Sequence, residues 1–271
     1  LKKMADQDGV VHTEFRQTIT STGRLSSIEP NLQNIPIRDQ EGKEIRRAFI
    51  ARPGYKLVTA DYSQIELRLL AHFSGEQKLI EAYKNDEDIH TRTAAQVFGA
   101  RPEEVTPNMR RDAKAVNFGI IYGISDFGLA KNLGISVSMA NRYIKKYFET
   151  YPRVKEFIQK SVEAAKKSGE VTLASGRVRK IAELNSPNRA VRAFGERAAM
   201  NMPLQGTAAD LIKIAMINVS QEFKKRNLKS RLILQVHDEL IVEAKDEEIS
   251  QVVEILKSKM ENAMKLNVPL K

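Results

Sequence analysis

The sequence predicts an α+β fold in which a long helical segment is inserted between two chain ends that carry strands. Residues 56–60 have the apolar composition of a short buried strand. Residues 231–236 and 239–244 alternate in the manner of a hairpin, and residues from about 83 to 187 show helical spacing. This order of elements is the basis for the predicted class.

The composition supports a folded protein with a basic surface. The chain has 271 residues, of which 42% are hydrophobic, enough for the core of one large domain or two modest ones. It carries 44 Lys and Arg against 34 Asp and Glu, a formal net charge of +10. This balance favours binding to polyanions, nucleic acid first, although basic charge alone is often only a solubility feature.

Several classes of protein are disfavoured by what the sequence lacks. There is no cysteine, which excludes disulfides and thiolate metal sites. No apolar run approaches the roughly 18 residues of a membrane span, and the charged start is not followed by a signal-peptide core. We therefore expect a soluble intracellular protein with no membrane partner.

The first part of the chain is predicted to be loop, then strand, then helix. Residues 23–52 are rich in Pro, Asn, Gln and Arg, and we interpret them as loop with short strands around a hairpin turn at Glu41 and Gly42. After the strand at 56–60, apolar residues recur every four positions until Gly75, which predicts a helix that ends there. Asp61 therefore follows the end of a strand.

The remaining elements are mostly helical. Breaks in the inserted segment are predicted at residues 99–102, 123–125, 134, 152 and 169. Residues 142–180 hold eleven Lys and Arg and four Glu, a surplus of seven positive charges. A long helical segment runs from Arg189 to Lys225, and an amphipathic helix is predicted near residues 247–266.

Two carboxylates, Asp61 and Asp238, each follow a predicted strand, and 177 positions separate them in the sequence. Asp238 and His237 form the predicted hairpin turn, which lacks the usual glycine. If the strands share a sheet, the carboxylates come together, and close carboxylates repel unless cations lie between them. Hard oxygen ligands select Mg²⁺ or Mn²⁺, and paired ions of this kind catalyse phosphoryl transfer. The alternative is an ordinary hairpin with a polar tip.

A second pattern lies in the inserted segment, where Arg110, Lys114, Phe118 and Tyr122 recur every four residues. On a helix they form one slowly drifting stripe, cationic at its start and aromatic at its end. The distance from Arg110 to Phe118 is roughly 12 Å at 1.5 Å per residue, comparable to an extended nucleoside triphosphate. The alternative is an amphipathic helix with its aromatic residues in the core and two solvated cations. No Walker-type phosphate loop occurs.

Three segments, in this order, resemble motifs A, B and C of family A DNA polymerases, the bacterial enzymes most closely. They are residues 61–68 (DYSQIELR), 110–123 (RRDAKAVNFGIIYG) and 236–239 (VHDE). Residues 22–27 (TGRLSS), 31–34 (NLQN) and 205–210 (QGTAAD) resemble further family segments. The resemblance therefore covers nearly the whole chain.

The resemblance implies a right-hand polymerase fold. Its palm would be an antiparallel sheet made from residues 1–83 and 194–271, and its fingers an all-helical insertion at 84–193. No thumb or exonuclease segment is matched, so we expect a catalytic-core fragment with weak, salt-sensitive DNA binding and low processivity. A monomer is also expected, in the bacterial cytoplasm and associated with the nucleoid.

The same resemblance implies roles for individual residues. Asp61 and Asp238, with the Tyr62 carbonyl, would hold two Mg²⁺ ions, for which Mn²⁺ can substitute, and Glu239 would assist. Lys114 would also donate a proton to pyrophosphate. The residues implied in binding the incoming dNTP are Gln64, Glu66, His90, Arg110, Lys114, Phe118 and Tyr122, with Glu66 as a steric gate against the 2′-hydroxyl. The residues implied in binding primer-template DNA are Arg24, Asn31, Gln33, Asn34, Arg68, Arg197, Asn201, Gln205 and His237.

The implied activity is template-directed DNA synthesis, and two other functions stay open. A single-subunit RNA polymerase shares the metal aspartates, but a gate at Glu66 would defeat RNA synthesis. A non-catalytic nucleic-acid-binding fragment is the other alternative, against which the intact Asp61 and Asp238 argue.

Overall fold

The computed structural model describes residues 2–36 and 40–271. The strands found within these residues are β1 (Glu14–Arg16), β2 (Ser26–Ile28), β3 (Tyr55–Asp61), β4 (Glu170–Thr172), β5 (Val178–Lys180), β6 (Arg231–Val236) and β7 (Glu239–Lys245). The α-helices are α1 (Gln40–Arg47), α2 (Ile65–Ser74), α3 (Gln77–Lys84), α4 (Ile89–Phe98), α5 (Pro107–Ile121), α6 (Asp126–Leu133), α7 (Val137–Thr150), α8 (Pro152–Ser168), α9 (Arg189–Lys225) and α10 (Ile249–Glu261).

The chain packs into two compact units. Unit 1 comprises Leu1–Ser63, Ala208–Lys265 and Leu270–Lys271, and unit 2 comprises Gln64–Thr207 and Leu266–Pro269. The palm and fingers limits expected from the resemblance, at residues 83/84 and 193/194, stay a prediction.

Unit 1 is built on a three-stranded antiparallel sheet in the order β3-β7-β6. The central strand β7 alternates strictly, burying Leu240, Val242 and Ala244. Helix α10 packs against β3 and β7 and buries Val252 and Leu256. The sheet therefore joins a strand from the first part of the chain to a hairpin from the last, as the sequence predicts.

One sequence prediction in unit 1 is wrong. Glu41 and Gly42, assigned to a hairpin turn, lie inside helix α1. The segment QEGKEIRR consists mainly of strong helix formers, whose combined propensity outweighs a single glycine that costs about 1 kcal/mol. Hydrogen bonds from Gln40 and Arg47 to the Glu44 carboxylate add side-chain support along the helix.

Unit 2 contains helices α2 to α8 and the first part of α9, together with one small hairpin. The predicted helix ends are confirmed: α2 ends directly before Gly75 and α8 directly before Gly169, and both glycines have the left-handed conformation. The all-helical expectation is wrong at β4 and β5, which pair in antiparallel fashion around a turn at Gly176. Residues 170–180 alternate, and Gly169 before β4 and Gly176 in the turn break the helical period, so a hairpin forms.

The two later helices follow the sequence prediction to different extents. Helix α9 has the predicted bounds, although Pro203 lies inside it. Helix α10 ends at Glu261, five residues earlier than the predicted limit at residue 266. Among the described residues, no helix is both long enough and apolar enough to cross a membrane.

Candidate functional site

The pairing of β3 with β7 brings the predicted carboxylates of unit 1 to one end of the sheet. Asp61, the last residue of β3, is directly opposite Glu239, the first residue of β7. The Tyr62 N–H donates to the Asp238 carbonyl oxygen over 3.1 Å and extends the pairing past the strand ends. The backbones of Asp61 and Asp238 are therefore one ladder step apart, although 177 positions separate them in the sequence.

The hairpin that carries Asp238 is confirmed as a two-residue turn, because Val236 pairs with Glu239. His237 supplies the left-handed conformation that glycine usually provides, with φ of 54°. The buried Gln235 amide donates to the His237 carbonyl oxygen, which ties the turn to its own strand. The Gln33 amide in turn donates to Gln235 Oε1 over 3.2 Å and to the Gln235 carbonyl oxygen over 3.1 Å.

Negative charge is concentrated at this end of the sheet. Desolvation raises the pKa of Asp61, although a hydrogen bond from Tyr62 and the nearby His237 oppose the rise. Desolvation, and then repulsion from Asp61, raise the pKa of Glu239. Directly opposed like charges destabilise a sheet, so this end gains stability when a cation binds. Arg24 partly neutralises this negative charge, because its Nη2 lies 3.5 Å from an Asp238 carboxylate oxygen.

The donor set at this end of the sheet suits a hard divalent cation. Within residues 2–36 and 40–271, no three His, Cys, Asp or Glu residues form a metal cluster of their own. Mg²⁺ does not require such a cage, because it usually binds one or two carboxylates and keeps several waters. The Tyr62 backbone is held in place because its buried side chain donates to the Met260 carbonyl oxygen over 2.7 Å. Asp61, Asp238 and the Tyr62 carbonyl therefore fit the chemistry of Mg²⁺.

In unit 2, helix α5 presents the predicted cationic and aromatic stripe. The helix starts after Thr106, whose hydroxyl caps the Met109 N–H, and has proline at its first position. Arg110 and Lys114 are exposed, Phe118 is half-buried, and Tyr122 comes directly after the last helical residue. The cations are therefore on the surface, and the Phe118 ring is only partly withdrawn into the core.

Arg110 already has an anionic partner, Asp88, which caps helix α4. Asp88 Oδ2 accepts from Arg110 Nε over 2.5 Å, while Asp88 Oδ1 accepts from the His90 and Thr91 N–H groups. Desolvation opposes ionisation of Asp88, but the hydrogen bonds from Arg110 and Thr91 lower its pKa to about 2. A phosphate that binds Arg110 therefore competes with a stable carboxylate.

His90 lies beside this pair and is buried. Its ring is 6.0 Å from the Phe118 ring, centroid to centroid, and its Nδ1 is 3.1 Å from the Asn117 side-chain nitrogen. Desolvation lowers the pKa of His90 to about 4; Arg110 and Lys114 lower it further, while Asp88 opposes them. His90 is therefore neutral at pH 7.

Glu66, the predicted gate, is buried in unit 2 and accepts a hydrogen bond of 2.7 Å from the Tyr122 hydroxyl. Its position is thereby fixed relative to the aromatic end of the stripe. Gln64 is the residue before α2, and its backbone has the left-handed conformation. Its Oε1 accepts from Tyr83 Oη over 3.2 Å. Both side chains therefore have defined protein partners. Glu66 differs in this from most helix glutamates, which face solvent.

Three predicted DNA contacts lie at every fourth position of α9: Arg197, Asn201 and Gln205. This spacing puts them along one side of the helix, and all three are half-buried. Asn201 Oδ1 is buried and has no hydrogen-bond partner among the described residues. A buried acceptor of this kind is costly unless a further group satisfies it.

Four other predicted DNA contacts are placed differently. Arg68 is 4% exposed, donates to the Pro269 carbonyl oxygen over 2.7 Å and stacks on the Tyr83 ring, and its contact with DNA stays a prediction. Gln33 is directed to Gln235, and Asn31 accepts from the Gln33 N–H, so both support the loop. Asn34 is exposed.

Asp88 and Asn117 are two residues of this region that sequence reasoning missed. Asp88 has the signal of a helix cap two positions before His90, but its ion pair with Arg110 depends on how α4 and α5 pack. Asn117 is a polar residue among apolar neighbours in α5, a pattern that often marks a buried hydrogen bond.

A comparison with known protein families identifies the chain. The model of DNA polymerase family A matches residues 1–271. The chain belongs to DNA polymerase family A. The family expected from the sequence motifs is therefore confirmed.

Two bacterial proteins are similar to this family A chain over nearly its whole length. It is 54% identical over 270 residues to DNA polymerase I of Caldicellulosiruptor bescii, covering 100% of this chain and 32% of that protein. It is 55% identical over 262 residues to DNA polymerase I of Bacillus subtilis, covering 96% of this chain and 30% of that protein. The chain thus spans about a third of the length of these relatives.

A solved structure gives the same result at the level of the fold. The chain is similar to the polymerase domain of Pol1 from M. smegmatis, determined in complex with DNA primer-template and dNTP. The TM-score is 0.96 and the identity 47%, covering 99% of this chain and 48% of the mycobacterial one. The family A chain therefore has a polymerase-domain fold with an antiparallel sheet.

Proposed function

We propose that this family A chain catalyses template-directed DNA synthesis, adding dNMP to a primer 3′-hydroxyl with release of pyrophosphate. The observation that carries the proposal is the pairing of β3 with β7, which puts Asp61 one ladder step from Asp238 in a chain that matches the family throughout. The mycobacterial relative, solved with primer-template and dNTP, supports these substrates. The expected monomeric state and cytoplasmic, nucleoid-associated location stay predictions.

In this proposal Asp61 and Asp238 hold two Mg²⁺ ions with help from the Tyr62 carbonyl. When bound, Mg²⁺ would lower the pKa of the primer hydroxyl and would neutralise charge on the triphosphate. The two aspartates balance the cationic charge, and Glu239 adds a further carboxylate opposite Asp61. Arg24, close to Asp238, and His237, in the turn, are proposed contacts of the primer terminus.

Unit 2 is proposed to bind the incoming dNTP. Arg110 and Lys114 provide positive charge for the phosphates, and Lys114 supplies a proton to departing pyrophosphate. Phe118 and Tyr122 provide aromatic surface for the base, and Glu66 occupies the space a 2′-hydroxyl would need. Support comes from their order along α5 and from the hydrogen bond that fixes Glu66.

A further part of the proposed DNA surface is on α9. Arg197, Asn201 and Gln205 are proposed to contact the duplex in the minor groove, where purine N3 and pyrimidine O2 are acceptors in every correct pair. The Asn201 side-chain amide can donate to such an acceptor through its nitrogen. Its unpartnered Oδ1 is then left to accept from another group.

Primer extension tests the proposal directly. Primed template, Mg²⁺ and dNTPs should give extended primer with the unmutated chain and none with Asp238→Ala. Asp246→Ala is the matched control, because Asp246 is an exposed carboxylate of the same unit just after β7. It should extend primer as the unmutated chain does.

The other two functions predict different results. A binding module would retain primer-template in a gel-shift assay and extend no primer under any condition. An RNA polymerase-like enzyme would use ribonucleotides and deoxynucleotides equally. Either result would contradict the proposal.

A further inference from the structure

Asn117 belongs to the helix that carries the proposed phosphate stripe, yet it points away from solvent. It lies between Lys114 and Phe118 on α5 and is 0% exposed. A buried amide must satisfy both its oxygen and its nitrogen, because each unpaired polar group costs about 1 to 3 kcal/mol. Its partners therefore indicate what the residue does.

The partners of Asn117 form a buried chain of hydrogen bonds between helices. The Thr93 hydroxyl donates to Asn117 Oδ1 over 3.2 Å, and the Asn117 nitrogen is 3.1 Å from His90 Nδ1. The Thr93 oxygen is itself 3.5 Å from the hydroxyl of the buried Tyr151, which can donate to it. This chain of hydrogen bonds runs from Tyr151 through Thr93 and Asn117 to His90.

The direction of this chain decides the proton position on His90. Since Thr93 donates to Oδ1, the end of the amide that meets His90 is the NH₂ group, which has no lone pair to offer. His90 Nδ1 must therefore accept, and in the neutral ring the proton is on Nε2. Among the described residues Nε2 has no hydrogen-bond partner, and it retains a small exposure to solvent.

The charged groups around His90 favour the same state. Arg110 and Lys114 on α5 disfavour a third positive charge, and Asp88 on the preceding turn, which favours it, is already bound to Arg110. His90 is 2% exposed as a residue, and desolvation lowers the pKa of its ring. A neutral ring with a proton on Nε2 can donate to a phosphate oxygen without adding to the repulsion between the cations.

We propose that Asn117 is a positioning residue that holds His90 as the neutral Nε2–H tautomer, so that His90 offers a triphosphate a fixed hydrogen-bond donor. The inference rests on the proposed function for the role of the phosphate, but not for the tautomer. Asn117 touches no substrate in this scheme and acts only through His90. In the observed orientation Thr93 donates to Asn117 Oδ1, so the nitrogen end of the amide faces the ring.

Nitrogen-15 NMR of histidine-labelled protein tests the tautomer. The chain has four histidines, and the spectrum of His90→Gln assigns the resonances of His90. Between pH 6 and 8 we expect a protonated Nε2 and a bare Nδ1, with protonation of the ring only near pH 4. A proton on Nδ1, or an imidazolium at pH 7, in the unmutated protein would overturn the proposal without any variant.

Two variants test the chain of hydrogen bonds. Asn117→Asp replaces the donor with a near-isosteric acceptor, so the proton should move to Nδ1 and the midpoint of ring protonation should rise to about 7 or above. Thr93→Val removes the hydrogen bond to Asn117 Oδ1 and lets the Asn117 amide rotate. A mixture of the two His90 tautomers should then replace the single Nε2–H tautomer. Unchanged His90 resonances in both folded variants would show that Asn117 does not position the ring.

Titration with inorganic triphosphate separates this inference from the proposed function. A shift of the His90 Nε2 resonance in the unmutated protein, at least several-fold weaker in Asn117→Asp at pH 8, is expected if both hold. An Nε2–H tautomer that does not respond to triphosphate would leave the positioning by Asn117 intact and contradict the phosphate contact of His90. A response equal in both proteins would refute the need for positioning.

Discussion

Replacing Asp88 with asparagine tests whether the carboxylate competes with triphosphate for Arg110. The hydrogen bonds of Asp88 lower its pKa from 3.8 to about 2 against the opposing effect of desolvation. Each tenfold change in proton affinity is worth about 1.4 kcal/mol, so the net effect of these bonds and of desolvation favours the carboxylate by roughly 2 kcal/mol. Because the two side chains are 38% and 47% exposed, solvent screening leaves about 1 kcal/mol for the Arg110 pair.

The expected result of Asp88→Asn is tighter nucleotide binding. Releasing about 1 kcal/mol of competition corresponds to about a fivefold decrease in the dNTP concentration needed for half-maximal binding. Asparagine keeps the helix cap, since it is as good at that position as aspartate. The assay is the KM for dNTP in primer extension, with direct dNTP binding measured by calorimetry as a second readout.

Glu87→Gln is the matched control for this prediction. Glu87 is the neighbouring acid but pairs with Arg92 at 2.5 Å, so its loss should leave dNTP affinity unchanged. The stabilisation from the lowered pKa of Asp88 exists above pH 3.8 and is lost as pH falls towards 2. Asp88→Asn should therefore cost about 1 kcal/mol of stability at pH 7 and nothing near pH 2. Unchanged or weaker dNTP binding in Asp88→Asn would refute the competition.

Three further predictions concern stability and substrate choice. His90 takes up a proton below about pH 6.5 in the unfolded chain but only near pH 4 in the native protein. The free energy of unfolding should therefore decrease by about 3 kcal/mol as pH falls from 6.5 to 4, and urea melts of His90→Asn should not show this decrease. Gly195→Ala should lower the melting temperature although alanine favours helix, because its Cβ would lie 2.8 Å from the Leu184 backbone nitrogen; a higher Tm would contradict this. Glu66→Ala should raise ribonucleotide incorporation in primer extension, and unchanged discrimination would exclude the gate. Tyr122→Phe, which removes the hydroxyl that donates to Glu66, should raise it less.

Local signals in the sequence were sufficient for much of the fold. The two-residue turn at His237 and Asp238, the strand that ends at Asp61 and the bounds of α9 all follow from short-range periodicity and breakers. The same reasoning failed at Gly42, where a glycine was given more weight than the helix formers around it, and at β4 and β5, where a hairpin interrupts a helical segment. At Gly42 the surrounding helix formers outweigh the glycine, and at β4 and β5 the glycines and the alternation outweigh the helical spacing on either side.

The sequence by itself determined the family, through motifs that are contiguous and ordered, and it determined which residues of α5 form one stripe. Only the tertiary structure decided which side chains are already paired: Arg110 with Asp88, Asn117 with His90, and Gln33 with Gln235. These contacts join separate elements within a unit, so helix or strand periodicity cannot reveal them. The pairing of β3 with β7 likewise turned Asp61 and Asp238 from two isolated strand ends into neighbours, because ladder hydrogen bonds connect residues without regard to their distance in the chain.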